Sequence, residues 1–221
     1  MKIFLYIIVY DPEFSFESFR ALTGSVTPKR AEAIERFVFD RDKLNSLFGE
    51  LLLRKALHEH YSLESRDVKI DCGEYGKPFL KNIPVQFSIS HSNNCVAVAV
   101  SESEIGVDVE KITEWYEDIS KNYFSKAEHE YIVHAENINK AFFEVWTKKE
   151  AYLKMKGTGL SVELSSFSVF AEKFQKHCVC AQVQEYLYSV YSENDITDAV
   201  IDCTVVGENW QAEDLSDYVR I

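Results

Sequence analysis

The sequence predicts an α+β fold built from two consecutive rounds of helices and strands. In some segments apolar residues recur at helical spacing, and in others they alternate with polar residues as in a half-buried strand. The first round covers residues 1–103 and the second covers 104–221, with no Gly/Ser-rich linker between them. We therefore expect two halves that pack together as one unit.

The composition is that of a globular protein and argues against several classes of partner. Of the 221 residues, 46% are hydrophobic, which is enough for a packed core. The formal net charge of −12 argues against a nucleic-acid partner or an anionic membrane surface, because both are bound through cations. The 5 cysteines are odd in number and include no Cys-x-x-Cys pair. We therefore expect free thiols in a cytoplasmic protein, without disulfides or a zinc site.

The first half begins with an apolar strand and a short helix. The apolar run within residues 1–10 is too short for a membrane span and lacks a signal cleavage site, so a strand is predicted. Thr27 and Pro28 form the N-cap and first residue of a helix that includes Arg30 and Arg36.

A longer helix is predicted to begin at Asp40 or Asp42. Its core-facing stripe consists of apolar residues at helical spacing: Leu44, Leu47, Phe48, Leu51 and Leu52. The same spacing leaves Ser46, Glu50 and Arg54 on the other side. A strand over 68–72 and a Gly/Pro-containing loop over 73–78 follow.

Three strands are predicted to form a meander between residues 85 and 110, with turns at 91–94 and 101–104. In the third strand, alternation sets Asp108 and Glu110 on one face, opposite the apolar residues. Adjacent carboxylates repel each other, so we expect a stabilising group beside them.

The second half centres on an amphipathic helix over 142–156. Trp146, Glu150 and Lys154 recur every fourth residue and so share one side. A neighbouring, mostly apolar stripe contains Phe142, Val145, Lys149 and Leu153. Asn139 is the predicted N-cap and Gly157 the predicted C-cap. Taken alone, Glu150 and Lys154 predict only an exposed ion pair.

Shorter elements surround this helix. Residues 125–128 have the pattern of a capping box that begins a short helix. Strands are predicted around 167–170, 178–188 and 199–206.

Two groups of charged residues are candidates for chemistry. Asp108, Glu110 and Glu150 could form one magnesium site, because magnesium prefers oxygen ligands, although the two-residue spacing alone is more typical of a solvated strand face. A second, mainly cationic group could bind a phosphate ligand, although each member alone is typical of an ordinary surface or turn residue: Arg30, Lys77, His91 and Lys154.

Five motifs occur in order along the chain. They are Glu-Tyr-Gly-Lys-Pro at 74–78, Phe-Ser-Ile-Ser-His-Ser at 87–92, Ile-Gly-Val-Asp-Val-Glu-Lys at 105–111, Asn-Tyr-Phe-Ser at 122–125 and Trp-Thr-Lys-Lys-Glu-Ala-Tyr-Leu-Lys at 146–154. Together they make the chain resemble the 4′-phosphopantetheinyl transferases of the surfactin-synthetase-activating type.

The resemblance implies a pseudo-twofold α+β protein whose two similar halves hold coenzyme A and magnesium between them. It implies Asp108, Glu110 and Glu150 as metal ligands. It also implies a set of coenzyme A contacts: Arg30, Ser46, Lys77, Pro78, Ser90, His91, Asp108 and Lys154. Ala33 stands where the family has a second lysine, which predicts weaker binding of the 3′-phosphate.

The implied reaction transfers phosphopantetheine from coenzyme A to a serine of an apo acyl or peptidyl carrier protein and releases 3′,5′-ADP. Glu150 would accept the serine proton, and Lys154 would stabilise or protonate the leaving group. Trp146 is interpreted as core packing. The alternatives are a non-catalytic relative that binds carrier proteins or coenzyme A, and a magnesium phosphohydrolase.

The implied protein is a cytoplasmic monomer. Its acidic carrier would have to approach a chain of net charge −12, so a local cationic surface is expected. Lys140, Lys148, Lys149 and Lys156 are the candidates.

Overall fold

The computed structural model describes residues 1–73, 75–81, 83–159 and 162–206. Its strands are β1 Lys2–Val9, β2 Ile70–Cys72, β3 Pro78–Leu80, β4 Gln86–Ser92, β5 Cys95–Ser101, β6 Ile105–Lys111, β7 Cys178–Val183, β8 Tyr186–Ser192 and β9 Val200–Val206. Its helices are α1 Pro28–Arg36, α2 Asp40–Tyr61, α3 Glu117–Tyr123, α4 Lys126–Val133, α5 Ile138–Lys156 and α6 Glu172–Gln175. Within these described ranges, no helix combines the length and apolar character needed to cross a membrane.

The two larger sheets stack face to face between the two long helices. A four-stranded sheet has the order β4-β5-β1-β9, and a three-stranded sheet has the order β6-β8-β7. Ile8 of β1 belongs to the core shared with α2, whereas its neighbour Ile7 packs in a second core with Val107 of β6. On the outer face of the smaller sheet, Leu187 shares a third core with Val145 of α5. The layers are therefore helix, sheet, sheet and helix.

This architecture confirms the predicted α+β class, with one long helix on each sheet. The division at residues 103 and 104 remains a prediction. β9 lies in the second half of the chain but pairs in parallel with β1, at the edge of the larger sheet. The second half thus contributes one strand to the sheet that the first half begins.

The predicted three-strand meander is wrong in its third strand. β4 and β5 form an antiparallel hairpin, but β6 leaves that sheet and pairs with β8. Alternation of polar and apolar residues identifies a strand and its faces without identifying its partner. The turn after β5 carries the chain into the second layer.

Serine side chains of β4 contact the free edge of β6. The hydroxyl oxygens of Ser88, Ser90 and Ser92 accept the backbone N–H groups of Val107, Val109 and Lys111 at 3.0, 3.3 and 3.2 Å. Both sets of groups repeat every second residue, so they match in register. The serines thereby join the edges of the two sheets and satisfy backbone donors that would otherwise lack partners.

The helix starts agree with the sequence analysis except in one case. Thr27 caps α1, α2 begins at Asp40, and α4 begins with the complete capping box. α5 begins at Ile138 and is capped by Asn137, so the prediction of Asn139 as the cap is wrong.

The side chain of Asn139 is instead used in a tertiary contact. Its Oδ1 accepts the backbone N–H of Trp115 at 3.1 Å. At the other end of α5, Gly157 has a φ of 68°, as expected for a glycine C-cap.

Three predicted strands need correction. The strand at 68–72 begins only at Ile70, and the segment 178–188 is a hairpin that turns at Gln184 with a φ of 48°. No strand forms over 167–170. The carbonyl of Phe167 instead accepts a hydrogen bond from Lys149 Nζ at 2.9 Å, so this backbone is held by a side chain rather than by a strand.

The last predicted strand is close to the observed β9, which begins one residue later, at Val200. The loop prediction over 73–78 holds up to Pro78, where β3 begins. Glu74 of that motif lies outside the described residues.

Candidate active site

The predicted acidic face of β6 turns toward α5. Asp108 is only 3% exposed, while its neighbours Val107 and Val109 point into the core on the opposite side. Gly106 lies on the same face as Asp108 and lets the helix approach. A Cβ atom there would come within 2.0 Å of the carbonyl oxygen of Ala151. α5 therefore lies directly on β6, which brings its side chains over the acids.

Lys154 bridges the two layers at the acidic face. Its ammonium donates to Asp108 Oδ1 and to Ser90 Oγ, each at 2.6 Å. The Ser90 hydroxyl in turn donates to Asp108 Oδ1 at 2.9 Å. Three predicted site residues from β4, β6 and α5 thus form one hydrogen-bonded cluster.

Glu150 lies one helical turn before Lys154 and adds a second carboxylate, which is half-buried. Burial, followed by the negative charge of Asp108, raises the pKa of Glu150 to about 7, while the Lys154 ammonium opposes this shift. Asp108 Oδ2 and Glu150 Oε1 are buried without a hydrogen-bond partner in the part of the chain that the structure describes. The cluster therefore has buried acceptors still able to bind a cation or donor.

Glu110 belongs to the same face but binds different neighbours. Ser92 Oγ donates to its Oε2 at 2.6 Å. Burial and the charge of Asp108 raise the pKa of Glu110, whereas hydrogen bonds from Ser92 and Trp146 act in the opposite direction. Trp146 stacks on Phe142, with ring centroids 6.1 Å apart, so it packs in the core as predicted and also contacts the site.

As they stand, the described residues include no group of three His, Cys, Asp or Glu side chains arranged to hold a metal ion. The chemistry of the donors nevertheless fits a hard divalent cation. Asp108 and Glu150 each have one buried oxygen without a partner, and carboxylate oxygens are the ligands such a cation prefers.

A cavity of about 270 Å³ opens beside this cluster. Lys77 and Pro78 line it together with Glu150 and Lys154, so three predicted coenzyme A contacts reach the same space as one of the acids. The ammonium of Lys77, however, donates to Glu104 Oε2 at 2.7 Å.

Arg30 and Ser46 form a second group on the helices of the first half. Arg30 Nη1 donates to Ser46 Oγ at 3.3 Å, and Arg30 Nε lies 3.4 Å from Glu50 Oε2. Glu50 is 1% exposed and is also paired with Arg54 at 2.7 Å. A buried carboxylate therefore orients the guanidinium of Arg30.

His91 interacts electrostatically with members of both groups. Although part of its side chain is exposed, loss of hydration, followed by the positive charge of Lys154, lowers the pKa of His91. The charges of Arg30, Asp42 and Asp108 also act on this ring. The structure therefore brings His91 into the electrostatic field of both clusters.

Sequence reasoning missed several residues of the site. Ser92 donates a hydrogen bond to Glu110. Glu50 forms an ion pair with Arg30, and Glu104 forms one with Lys77. Serines recur at every second residue of β4, as the acids do in β6. This shared spacing could have identified Ser92 as a hydrogen-bond partner of an acid. The contacts of Glu50 with Arg30 and of Glu104 with Lys77 gave no local signal, because each joins residues that are distant in sequence.

The predicted cationic docking surface is wrong for Lys149. Its side chain is 0% exposed and forms an ion pair with Glu128 at 3.0 Å. Lys148 is half-buried and paired with Glu144 at 2.6 Å. Lys140 and Lys156 are exposed and remain available for a partner.

Two protein-family models match consecutive parts of the chain. Residues 13–103 match the family model described as 4′-phosphopantetheinyl transferase, N-terminal, and residues 104–204 match that of the 4′-phosphopantetheinyl transferase superfamily.

Individual relatives cover most of the chain. The chain is 35% identical over 168 residues to the 4′-phosphopantetheinyl transferase ffp of Bacillus subtilis, which covers 75% of each protein. It is 33% identical over 168 residues to the 4′-phosphopantetheinyl transferase Sfp of Bacillus subtilis strain 168, again 75% of each. The psf-1 transferase of Bacillus pumilus is 34% identical over 172 residues, or 76% of this chain and 74% of that protein. The chain therefore belongs to the 4′-phosphopantetheinyl transferase superfamily, as its resemblance to the surfactin-synthetase-activating type predicted.

Proposed function

We propose that this protein transfers the 4′-phosphopantetheine group from coenzyme A to a serine hydroxyl of an apo acyl or peptidyl carrier protein. The observation that carries the proposal is the cluster of Asp108, Glu150 and Lys154 beside a cavity, in a chain whose two halves match transferase family models. The carboxylate oxygens of this cluster can bind a metal ion, and its lysine ammonium can bind a phosphate group.

The reaction makes one P–O bond and breaks another. The serine oxygen attacks the phosphorus that carries pantetheine, and the bond to the 3′,5′-ADP oxygen breaks. Glu150 accepts the serine proton, directly or through water, and Lys154 offsets the charge that develops on 3′,5′-ADP or donates a proton to it. Both side chains project from α5, which is held against β6 at Gly106, so their relative position is fixed by a rigid element.

A magnesium ion would be held by Asp108, Glu110 and Glu150. The support is the pair of buried carboxylate oxygens without partners on Asp108 and Glu150. When bound, the ion would act as a Lewis acid and orient the pyrophosphate of coenzyme A. Ser90 and Lys154 already contact Asp108 and would keep that carboxylate oriented.

The other coenzyme A contacts are assigned by charge and position. Lys77, Pro78 and Lys154 line the cavity, and Ser90 and His91 lie on the strand beside it. Arg30 and Ser46 would bind the 3′-phosphate, with Arg30 as the charged partner. A cytoplasmic location and a monomeric state belong to the same proposal, and the five thiols, all free, are compatible with a reducing compartment.

The direct test is to incubate the protein with coenzyme A, magnesium and several apo carrier proteins and then weigh the carriers. A mass gain equal to phosphopantetheine is expected. Binding of carrier or coenzyme A without any mass gain would instead identify a non-catalytic relative, and phosphate release without carrier modification would identify a phosphohydrolase.

The 3′-phosphate should be bound mainly through Arg30, because Ala33 supplies no second cation. Arg30→Ala should raise KM for coenzyme A by roughly three- to tenfold, the range of a charge-assisted contact that is partly screened. KM for 3′-dephospho-coenzyme A should change little, since that donor lacks the phosphate. Steady-state kinetics with both donors measures the difference.

The matched variant is Ala33→Lys, which should increase the preference for coenzyme A over the dephospho form. Glu50 keeps its partner Arg54 when Arg30 is removed, so the fold should tolerate the change. Equal effects of Arg30→Ala on both donors would remove Arg30 from the 3′-phosphate site.

A further inference from the structure

The ammonium group of Lys77 is held outside the acid cluster by two acceptors. Its Nζ donates to Glu104 Oε2 at 2.7 Å and to the carbonyl oxygen of Met155 at 2.8 Å. Glu104 lies in the turn before β6, and Met155 lies in the last turn of α5. The side chain therefore joins the loop before β3 to α5, which carries the proposed catalytic residues, and to the turn that precedes β6.

The direction of this ammonium can be read from the cavities on its two sides. The first cavity, of about 270 Å³, contains Glu150 and Lys154. A second cavity, of about 300 Å³, contains Glu104 and Met155, and Lys77 lines both. Both acceptors of the ammonium line only the second cavity. The charge of Lys77 is therefore turned away from the space beside the acid cluster.

The aliphatic part of Lys77 lies against the end of α5. Gly157 has a φ of 68°, and a Cβ atom there would lie 3.0 Å from Lys77 Cδ. This contact holds the stem of the side chain in place, whereas the terminal ammonium can rotate toward either cavity if its ion pair opens.

We propose that Glu104 is an affinity-determining residue that competes with the phosphates of coenzyme A for Lys77. The proposal rests on the proposed function, because coenzyme A is the ligand concerned. A phosphate in the first cavity can bind the Lys77 ammonium only after the ion pair with Glu104 has opened. The free energy needed to open this ion pair reduces the net free energy of coenzyme A binding. Glu104 therefore weakens the observed affinity for coenzyme A.

The size of this effect follows from exposure of the pair. The side chains of Lys77 and Glu104 are 22% and 42% exposed, so solvent and salt screen their attraction. An ion pair of this kind contributes at most about 1 kcal/mol, which corresponds to a change of up to about fivefold in affinity.

The experiment compares coenzyme A binding by wild-type protein and Glu104→Gln, measured by titration calorimetry at low ionic strength. Glu104→Gln is expected to lower Kd by about two- to fivefold. Added salt should reduce the difference, because it weakens the competing ion pair. Glu102→Gln, in the same turn, removes one exposed charge without touching Lys77 and controls for the change in net charge.

A second pair of variants tests whether the effect passes through Lys77. In a Lys77→Met background, Glu104→Gln should leave Kd unchanged, because no ammonium remains to be released. A Kd that is unchanged or higher in Glu104→Gln alone would overturn the inference, as would a gain that persists without Lys77. If the wild-type protein binds no coenzyme A, the proposed function fails together with the inference, whereas normal binding and transfer with no effect of Glu104→Gln defeats only the inference.

Discussion

Glu150→Gln is expected to reduce phosphopantetheine transfer by at least about a thousandfold, because an amide can neither accept the serine proton nor supply an anionic ligand. The side chains are nearly equal in size, and the other contacts of α5 are unchanged. Single-turnover transfer to an apo carrier, followed by mass spectrometry, measures the rate. A near-wild-type rate would remove Glu150 from the role of proton acceptor.

The same substitution should stabilise the protein when divalent cations are removed by a chelator. Burial and Asp108 raise the pKa of Glu150 from its ordinary value of 4.5 to about 7 in the fold. A carboxyl group with a raised pKa costs no stability below pH 4.5; the cost grows between pH 4.5 and about 7 and is constant above. Glu150→Gln removes this cost, so the gain should be largest at pH 8, at most about 3 kcal/mol.

Urea unfolding at pH 5 and pH 8 distinguishes this electrostatic cost from a simple loss of fold. Loss of activity together with a gain in stability at pH 8 is the expected result. Glu144→Gln is the matched control, because Glu144 lies on the same helix and is paired with Lys148 near the surface. A Glu150→Gln protein that is less stable than wild type at pH 8 would contradict the assigned cause of the pKa shift.

Sequence periodicity predicted the side-chain directions on which the site depends. Alternation set Asp108 and Glu110 on one face of β6, and helical spacing set Glu150 and Lys154 on one side of α5. Both predictions needed only the local geometry of one element. The contact of Lys154 with Asp108 then required the close packing of two elements, which Gly106 permits and which local patterns cannot specify.

Predictions that depended on distant partners were the ones that failed. β6 was identified as a strand, but its partner β8 lies about 80 residues further along the chain, so its sheet could not be inferred from alternation. Glu128 was identified as part of a capping box and does form it. Nothing local indicated that its other oxygen accepts the backbone N–H of Val169 at 2.8 Å.

Lys149 shows which of two sequence signals should have been preferred. It lies on the stripe of α5 that is otherwise apolar, which predicts burial, whereas its charge predicts a surface position. The structure follows the stripe, and the ammonium is compensated inside by Glu128 Oε2 at 3.0 Å and by the carbonyls of Leu164 and Phe167 at 2.7 and 2.9 Å. The position in the helical period was therefore the stronger signal.

Lys149→Met should destabilise the fold by about 3–5 kcal/mol, the typical cost of removing one partner from a buried ion pair. Methionine can fill much of the space, but Glu128 is left as a buried charge and two carbonyl groups lose their donor. The midpoint of urea unfolding measures the effect. Lys148→Met, one residue earlier, removes only the partly exposed pair with Glu144 and should cost less than about 1 kcal/mol.

The double variant Lys149→Met with Glu128→Gln separates the charge from the packing. It should recover part of the lost stability, because the neutral amide removes the uncompensated charge. Equal unfolding midpoints for Lys148→Met and Lys149→Met would contradict the buried ion pair. Charge reversal at Lys149 would place two like charges in the core and unfold the protein, so it would lower the amount of active enzyme without reporting on docking. Carrier docking must therefore be tested at Lys140 and Lys156, where reversal leaves the core intact and a salt-dependent rise in carrier KM would report the encounter itself.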